Sequence, residues 1–324
     1  MNEIKDDLSN NYQYLMPNFN ELGKIKEIWK EYNKAGISSP DIDNIMATFP
    51  KINESFFQEI VQIASRVSSK DLNIEYCPFI LNDYNLAARS AADGYLIIID
   101  EYLLSMLYDL SYILTFKKYK YIQKKENKQY KDIIITILTD YLDNNIKNRN
   151  LISELYTKDY ETAEFAVYLY NSFKVFMFAH EISHHILKHT EGTYFKECCM
   201  NNRSCNIEID KTSFDQEFEA DAYGYKIFLE VLNTADNSIN YTYCKYRYEY
   251  APLFLFDIFD KIDRIKEKIL NYKIKYITHP SPMERRKKLS NQYNINNPNI
   301  LYYKDTLYNY NIMKRVLQKM IINW

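Results

Sequence analysis

The stretch FMFAHEISHHILKH, Phe176 to His189, places an H-E-x-x-H pattern at His180, Glu181 and His184 inside an apolar run. In a helix, residues i and i+4 lie one above the other, so His180 and His184 share a face and can hold one metal ion between them. Glu181 follows the first histidine directly, within reach of a water activated by that metal. Two imidazole ligands and a carboxylate base on one turn are the equipment of a zinc peptidase. Tyr168, Phe173, Phe176, Met177, His180, His184 and Leu187 follow three-and-four spacing, which turns the histidines inward with an apolar stripe. No Gly or Pro interrupts the chain from Tyr160 to His189, and the spacing predicts a helix over that whole span.

A second element lies downstream at SFDQEFEADAYG, Ser213 to Gly224. Ser213 and Gln216 have capping-box spacing, which predicts a helix from Phe214. A zinc peptidase with two histidine ligands needs a third protein ligand and leaves the fourth position to water. Glu217 supplies the carboxylate. Asp221, one turn on and on the same face, suits the free N–H of a ligating histidine. Glu219 is two residues from Glu217, about 200° around the helix, so only one of the two can face the histidines. His189, nine residues after His180, is about half a turn off the ligand face, and His185 is displaced by about 100° from His184. Ala220, Ala222 and Gly224 are small enough for a close approach of this helix to the first.

The third element, THPSPMERR, runs from Thr278 to Arg286. Ser281, Pro282 and Glu284 form a helix start: N-cap, Pro at N1 and Glu at N3. His279 sits just before it, and Arg285 lies on its first turn.

These three motifs in this order resemble the HtpX and CAAX-prenyl-protease family of gluzincin metallopeptidases. Asn82 to Ala87 followed by Gly94 to Ile99 is similar to that family's N-A-x-A segment and edge strand. The resemblance covers about Leu81 to Leu289. It implies a zincin-like catalytic domain with one Zn²⁺ per chain, held by His180, His184 and Glu217. It makes Glu181 the general base and Asp221 the carboxylate behind a ligand, puts His279 and Arg285 near the site, and has the strand line a cleft for extended substrate. The wording F-x-x-x-H-E-x-x-H and Q-E-F-E-A-D also resembles the Lit-type phage-exclusion peptidases. The implied activity is a soluble zinc endopeptidase acting on a peptide or protein. Rival readings are a latent phage-defence or toxin-type protease and a non-catalytic zinc-stabilised binding protein. Glu181 weighs against the last, since a structural zinc site needs no such carboxylate. His279 and Arg285 are candidates for stabilising the oxyanion.

The members of the first family are integral membrane enzymes. This chain has no uncharged apolar run of about eighteen residues, and its N-terminus lacks the hydrophobic segment of a signal peptide, so no membrane insertion and a cytoplasmic location are expected. A net charge of −2 gives no reason to expect nucleic acid as a partner, and the basic run Lys117 to Lys131 reads as a solvated face. The 5 cysteines, odd in number and without a C-x-x-C, read as reduced thiols. The stretch Glu191 to Lys211, which holds three of them, reads as a loop beside the cleft. Oligomeric state and substrate identity are not encoded in any recognisable pattern.

With only 5 glycines in 324 residues, a turn-rich β fold is disfavoured. The expectation is a mainly helical α+β protein, with an N-terminal helical extension over 1–70 and a catalytic domain over 71–324. Strands are expected near Asn73 to Asn82 and Gly94 to Ile99, in a small antiparallel sheet. Helices are expected at Asn18 to Lys34, Asn53 to Ser69, Asp100 to Phe116, Tyr130 to Ile146, Tyr160 to His189, Phe214 to Leu232, Tyr250 to Tyr272, Pro282 to Gln292 and Lys304 to Ile321.

Overall fold

A computed structural model of the chain describes residues 56–79, 86–91, 94–119, 136–138, 160–189, 212–235, 248–271, 273–276 and 279–294. The helices expected before residue 53 and after residue 304, the cysteine-bearing stretch and most of the basic run lie outside these residues. Two compact units divide the chain after Glu101.

In the first unit, residues 56–68 form a helix whose Phe56, Phe57, Ile60, Val61, Ile63 and Ala64 are buried. Three strands follow: β1 (Ile74–Phe79), β2 (Leu86–Ala91) and β3 (Gly94–Asp100), in the spatial order β1-β3-β2. The Phe57 ring lies 5.6 Å from that of Tyr76, which couples the helix to β1. Only β2 and β3 pair antiparallel; β1 runs parallel to β3, with Tyr76 opposite Ile97. The expected all-antiparallel sheet is therefore a mixed one. The expectation missed β2, whose sequence LAARSA is poor in β-branched and aromatic residues. Pairing with β3 across a short connection makes it a strand, and this extra reversal turns β3 parallel to β1. Gly94 opens β3 at φ 152°, a conformation that favours glycine.

The second unit is helical. Its elements are α1 (Glu101–Tyr119), α2 (Tyr160–Ile186), α3 (Thr212–Ala235), α4 (Ala251–Leu270) and α5 (Pro282–Tyr293). α3 begins at Thr212, so Ser213 lies within the helix and not at its cap. α2 is more deeply set than a one-sided stripe predicts. Every residue from Asn171 to Ser183 is buried. The face opposite the stripe is also apolar, with Val175, Phe178, Ala179 and Ile182, so the helix is packed all round. Its buried hydroxyls stay satisfied inside the helix: Ser172 donates to the Tyr168 carbonyl at 2.9 Å and Ser183 to that of Ala179 at 2.6 Å. α1 has the same character, with Ser111 donating to the Leu107 carbonyl at 2.7 Å and Thr115 to that of Ser111 at 2.8 Å. The Tyr108 and Tyr170 rings meet edge to face at 5.3 Å between α1 and α2. Among the described residues, no helix is long and apolar enough to cross a membrane.

α3 lies close against α2 at Gly224. A Cβ added there would stand 2.9 Å from both Cα and N of His180, with no flexible side chain in between to yield. The absent side chain thus sets the spacing between the two histidines and the acidic helix. α4 also packs on α2, with Phe176 edge-on to Phe256 at 5.8 Å. Asn271, in the left-handed conformation, ends α4 and reverses the chain. The returning segment 273–276 is tied back to α4: the Ile274 N–H donates to Glu267 at 2.9 Å and the Tyr276 hydroxyl to Asp263 at 2.8 Å. α5 then starts with a complete capping box. The Glu284 N–H donates to Ser281 Oγ at 3.3 Å and the Ser281 N–H to the Glu284 carboxylate at 2.9 Å. Two contacts hold α5 down: Arg286 pairs with Asp257 of α4 at 3.1 Å, and the Tyr293 hydroxyl donates to the Ala222 carbonyl of α3 at 2.7 Å.

Gly224→Ala is expected to destabilise the fold by about 1–3 kcal/mol, the usual cost of overpacking, because backbone faces backbone. Urea unfolding of wild type and variant measures this; equal stability would mean that the two helices separate freely at this point.

Candidate metal centre

α2 presents His180 and His184 one turn apart, and α3 presents Glu217 to them. The Nε2 atoms of the two imidazoles are 3.2 Å apart. Glu217 straddles them, with Oε2 at 3.4 Å from His180 Nε2 and Oε1 at 3.4 Å from His184 Nε2. Each Glu217 oxygen thus faces one imidazole, at a distance close to the ligand–ligand edge of about 3.3 Å in four-coordinate zinc with bonds of about 2.0–2.1 Å; taking one donor atom from each residue, the three lie within 4.8 Å of one another. Glu217 Oε2 is buried and makes no hydrogen bond of good geometry, although it is ion-paired, so it keeps acceptor capacity toward the cluster. Among the described residues, His180, His184 and Glu217 are the group of side chains able to share a metal ion. Two imidazoles and a carboxylate are a donor set that zinc accepts. Glu219, two residues along, has a side chain 64% exposed and stands outside the cluster.

Behind this face lies a charge network. Asp221 accepts from Arg285 twice, from Nε at 2.8 Å and from Nη2 at 2.6 Å. The same carboxylate stands 3.0 Å from His180 Nδ1. In the neutral ring, an Nδ1–H on His180 donates to it and leaves the lone pair on Nε2, toward Glu217 and His184. Arg285 also sets Nη1 3.3 Å from Glu217 Oε2. The guanidinium lies over the Phe256 ring, 5.0 Å from its centroid, so α4 supplies its floor. His279 brings Nε2 to 3.3 Å from Glu217 Oε1, with half of its side chain exposed. Glu181 is buried beside the cluster, and its charge acts on both His279 and Arg285. Among the described residues, no hydrogen bond or ion pair fixes its carboxylate.

The network sets proton affinities. Burial and the Arg285 charge depress that of His180, but its hydrogen bonds to Asp221 and Glu217 outweigh both and lift its pKa to about 9 in the metal-free protein. Burial opposes ionisation of Glu217 and Asp221, yet Arg285 and the facing imidazoles hold both below the usual carboxylate range. Burial pushes His185 down to about 3, which makes it a neutral core imidazole. His279 is lowered by partial burial, against the pull of Glu217.

Two placements escape a helix-wheel reading. α2 does not run to His189. It ends at Ile186, and Lys188 takes a left-handed conformation with φ 64°. The His189 N–H donates to the His184 carbonyl at 2.9 Å and the Lys188 N–H to that of His185 at 3.1 Å. These are the paired bonds of a Schellman turn, and they swing His189 back over His184. Its Nδ1 lies 3.1 Å from His184 Nδ1. Glycine is the usual sign of such a turn, and a lysine here gives no warning. The other is Phe256, whose role under Arg285 has no signal in an apolar helix sequence.

Comparison with protein-family models finds no match to the chain, and neither do comparisons with curated proteins and with solved structures.

For the metal-free protein the pH dependence has a definite sign. His180 gains proton affinity on folding, so its contribution is complete below its unfolded value of about 6.5. It is lost as pH rises through about 9. Asp221 and Glu217 act oppositely, contributing above about pH 4 and losing it on acidification. Thermal melts of chelator-treated protein should fall between about pH 6.5 and 9, and His180→Gln should flatten that limb. An equal slope in the variant would show that other groups govern it.

Proposed function

We propose that the protein is a zinc-dependent endopeptidase of the gluzincin kind, with a zincin-type catalytic domain. The observation that carries the reading is the convergence of His180 Nε2, His184 Nε2 and the Glu217 carboxylate, which faces one imidazole with each oxygen, with Glu181 buried next to them. When bound, zinc supplies an acidified water and a polarised substrate carbonyl. The chain's own groups do the rest. Glu181 accepts the water's proton and returns it to the departing amine; a carboxylate with no fixed partner is free to turn between the two. Asp221 keeps His180 in the tautomer that presents a lone pair at Nε2. Arg285 is ion-paired with both Asp221 and Glu217, which lowers the cost of burying two carboxylates side by side. His279, half exposed and beside Glu217, is the group placed to donate to the developing oxyanion.

The substrate is a peptide or protein segment. The proposal has the enzyme at work in the aqueous cytoplasm, and carbonate-washed membranes should hold none of it; retention there would refute this location.

The chemistry is tested by substitution, with metal content and peptide hydrolysis read on the same samples. Glu181→Gln should keep one zinc per chain and lose about 10²- to 10⁴-fold in turnover. Glu217→Ala should lose the metal, and Asp221→Ala should weaken zinc affinity by about 10- to 100-fold. Glu219→Ala should still bind it. Full turnover in Glu181→Gln would remove the catalytic assignment. Retention of zinc by Glu217→Ala would remove the ligand assignment.

A further inference from the structure

Asp221 accounts for the remote nitrogen of only one of the two imidazoles. His184 points its Nε2 at His180 and Glu217, which leaves Nδ1 on the far side. There it meets His189 Nδ1 at 3.1 Å, and the His189 Nε2 stands 3.2 Å from Glu219 Oε2. We propose that His189 and Glu219 form a relay that positions His184 as a metal ligand, with a proton on His184 Nδ1 donated to His189 Nδ1 and one on His189 Nε2 donated to Glu219.

The proton arrangement is self-consistent. Nδ1 against Nδ1 allows one proton between two nitrogens, so one ring donates and the other accepts. If His189 carries its proton on Nε2, it donates to the Glu219 carboxylate and has a lone pair at Nδ1. His184 must then be protonated at Nδ1, and its Nε2 lone pair is turned to the site. The carboxylate at the far end selects the tautomer of His189, and His189 selects that of His184. The backbone is built for this contact. The left-handed Lys188 brings His189 back over the ring it orients, and the two imidazoles cross at 69° with centroids 5.2 Å apart. Glu219 takes part from the side of α3 that faces away from the metal cluster, so two carboxylates two residues apart serve different imidazoles by different routes. His189 is a positioning residue: it touches the ligand and not the reacting atoms.

This inference rests on the zinc reading of the site, and the experiment separates the two. Zn²⁺ affinity is measured by competition with a chromophoric chelator, with folding checked by circular dichroism. His189→Phe keeps the ring and removes the acceptor, and is expected to weaken binding by about 10- to 100-fold. His189→Asn, whose carbonyl oxygen stands near the lost Nδ1, is expected to recover most of that loss. A purely structural role would favour the aromatic ring over asparagine, the reverse order. Wild-type affinity in a folded His189→Phe, or an equal loss in Phe and Asn, overturns the relay while leaving the zinc site standing. No Zn²⁺ binding by wild type overturns both. Should His189→Phe fail to fold, Glu219→Ala at an exposed position decides: a several-fold loss supports the relay and unchanged affinity overturns it.

Discussion

The arrangement of the site depends on a single buried carboxylate. Asp221 is 2% exposed, and an ion so deeply buried is tolerable only if its charge is met and its lone pairs are used. Arg285 meets it with two hydrogen bonds, and His180 adds a third contact at 3.0 Å. The three residues come from α3, α5 and α2, so satisfying one charge fixes the mutual position of three helices. Arg285 is itself partly buried against Phe256 and reaches Glu217 with its remaining nitrogen. The cluster holds two carboxylates and one guanidinium. It is one positive charge short of neutrality; a protonated His180 makes up that charge, and a divalent cation would exceed it by one.

Backbone devices deliver these groups to one point. Gly224 lets α3 lie against the His180 backbone, closer than any other residue allows. Asn271 turns the chain after α4, and the segment that follows is fastened to α4 before the Ser281 capping box launches α5. Arg285 stands on the first turn of α5, where the cap holds the backbone most firmly. The cap and the ion pair thus reinforce each other: a frayed start to α5 would move Arg285 off Asp221, and an unpaired Arg285 would be a partly buried charge pulling that turn toward water.

Much of this was legible in the sequence because it depends on helical periodicity. Spacing of four predicts that His180 and His184 share a face, and the same rule on α3 turns Glu217 and Asp221 toward them while Glu219 points outward. Capping chemistry at Ser281 is equally local and readable. What was not legible depends on contacts distant in sequence or on an irregular dihedral. The strand β2 exists because β3 offers it hydrogen bonds, and LAARSA by itself predicts no strand. The burial of α2 on all sides was hidden by reading one stripe and overlooking that Val175, Phe178 and Ile182 line the opposite face. His189 was misplaced by extending an ideal helix past Ile186, where a left-handed lysine breaks the period.

The contrast between Glu181 and Glu217 bears on what kind of metal centre such a cluster would be. Glu217 faces Arg285, His279 and both imidazoles, and these neighbours hold its charge and its orientation. Glu181 is as deeply buried, and among the described residues nothing fixes its carboxylate. A protein that needed zinc only for stability would gain by replacing Glu181 with an apolar residue, since an unpaired buried carboxylate costs folding free energy. A buried carboxylate next to three potential ligands is the kind of local departure from an apolar interior that folded chains retain at functional sites. Tight restraint on Glu217 and freedom for Glu181 are what ligand and base respectively require. That contrast, more than the H-E-x-x-H spelling, is the physical argument in favour of the proposed hydrolytic reading over a structural zinc site.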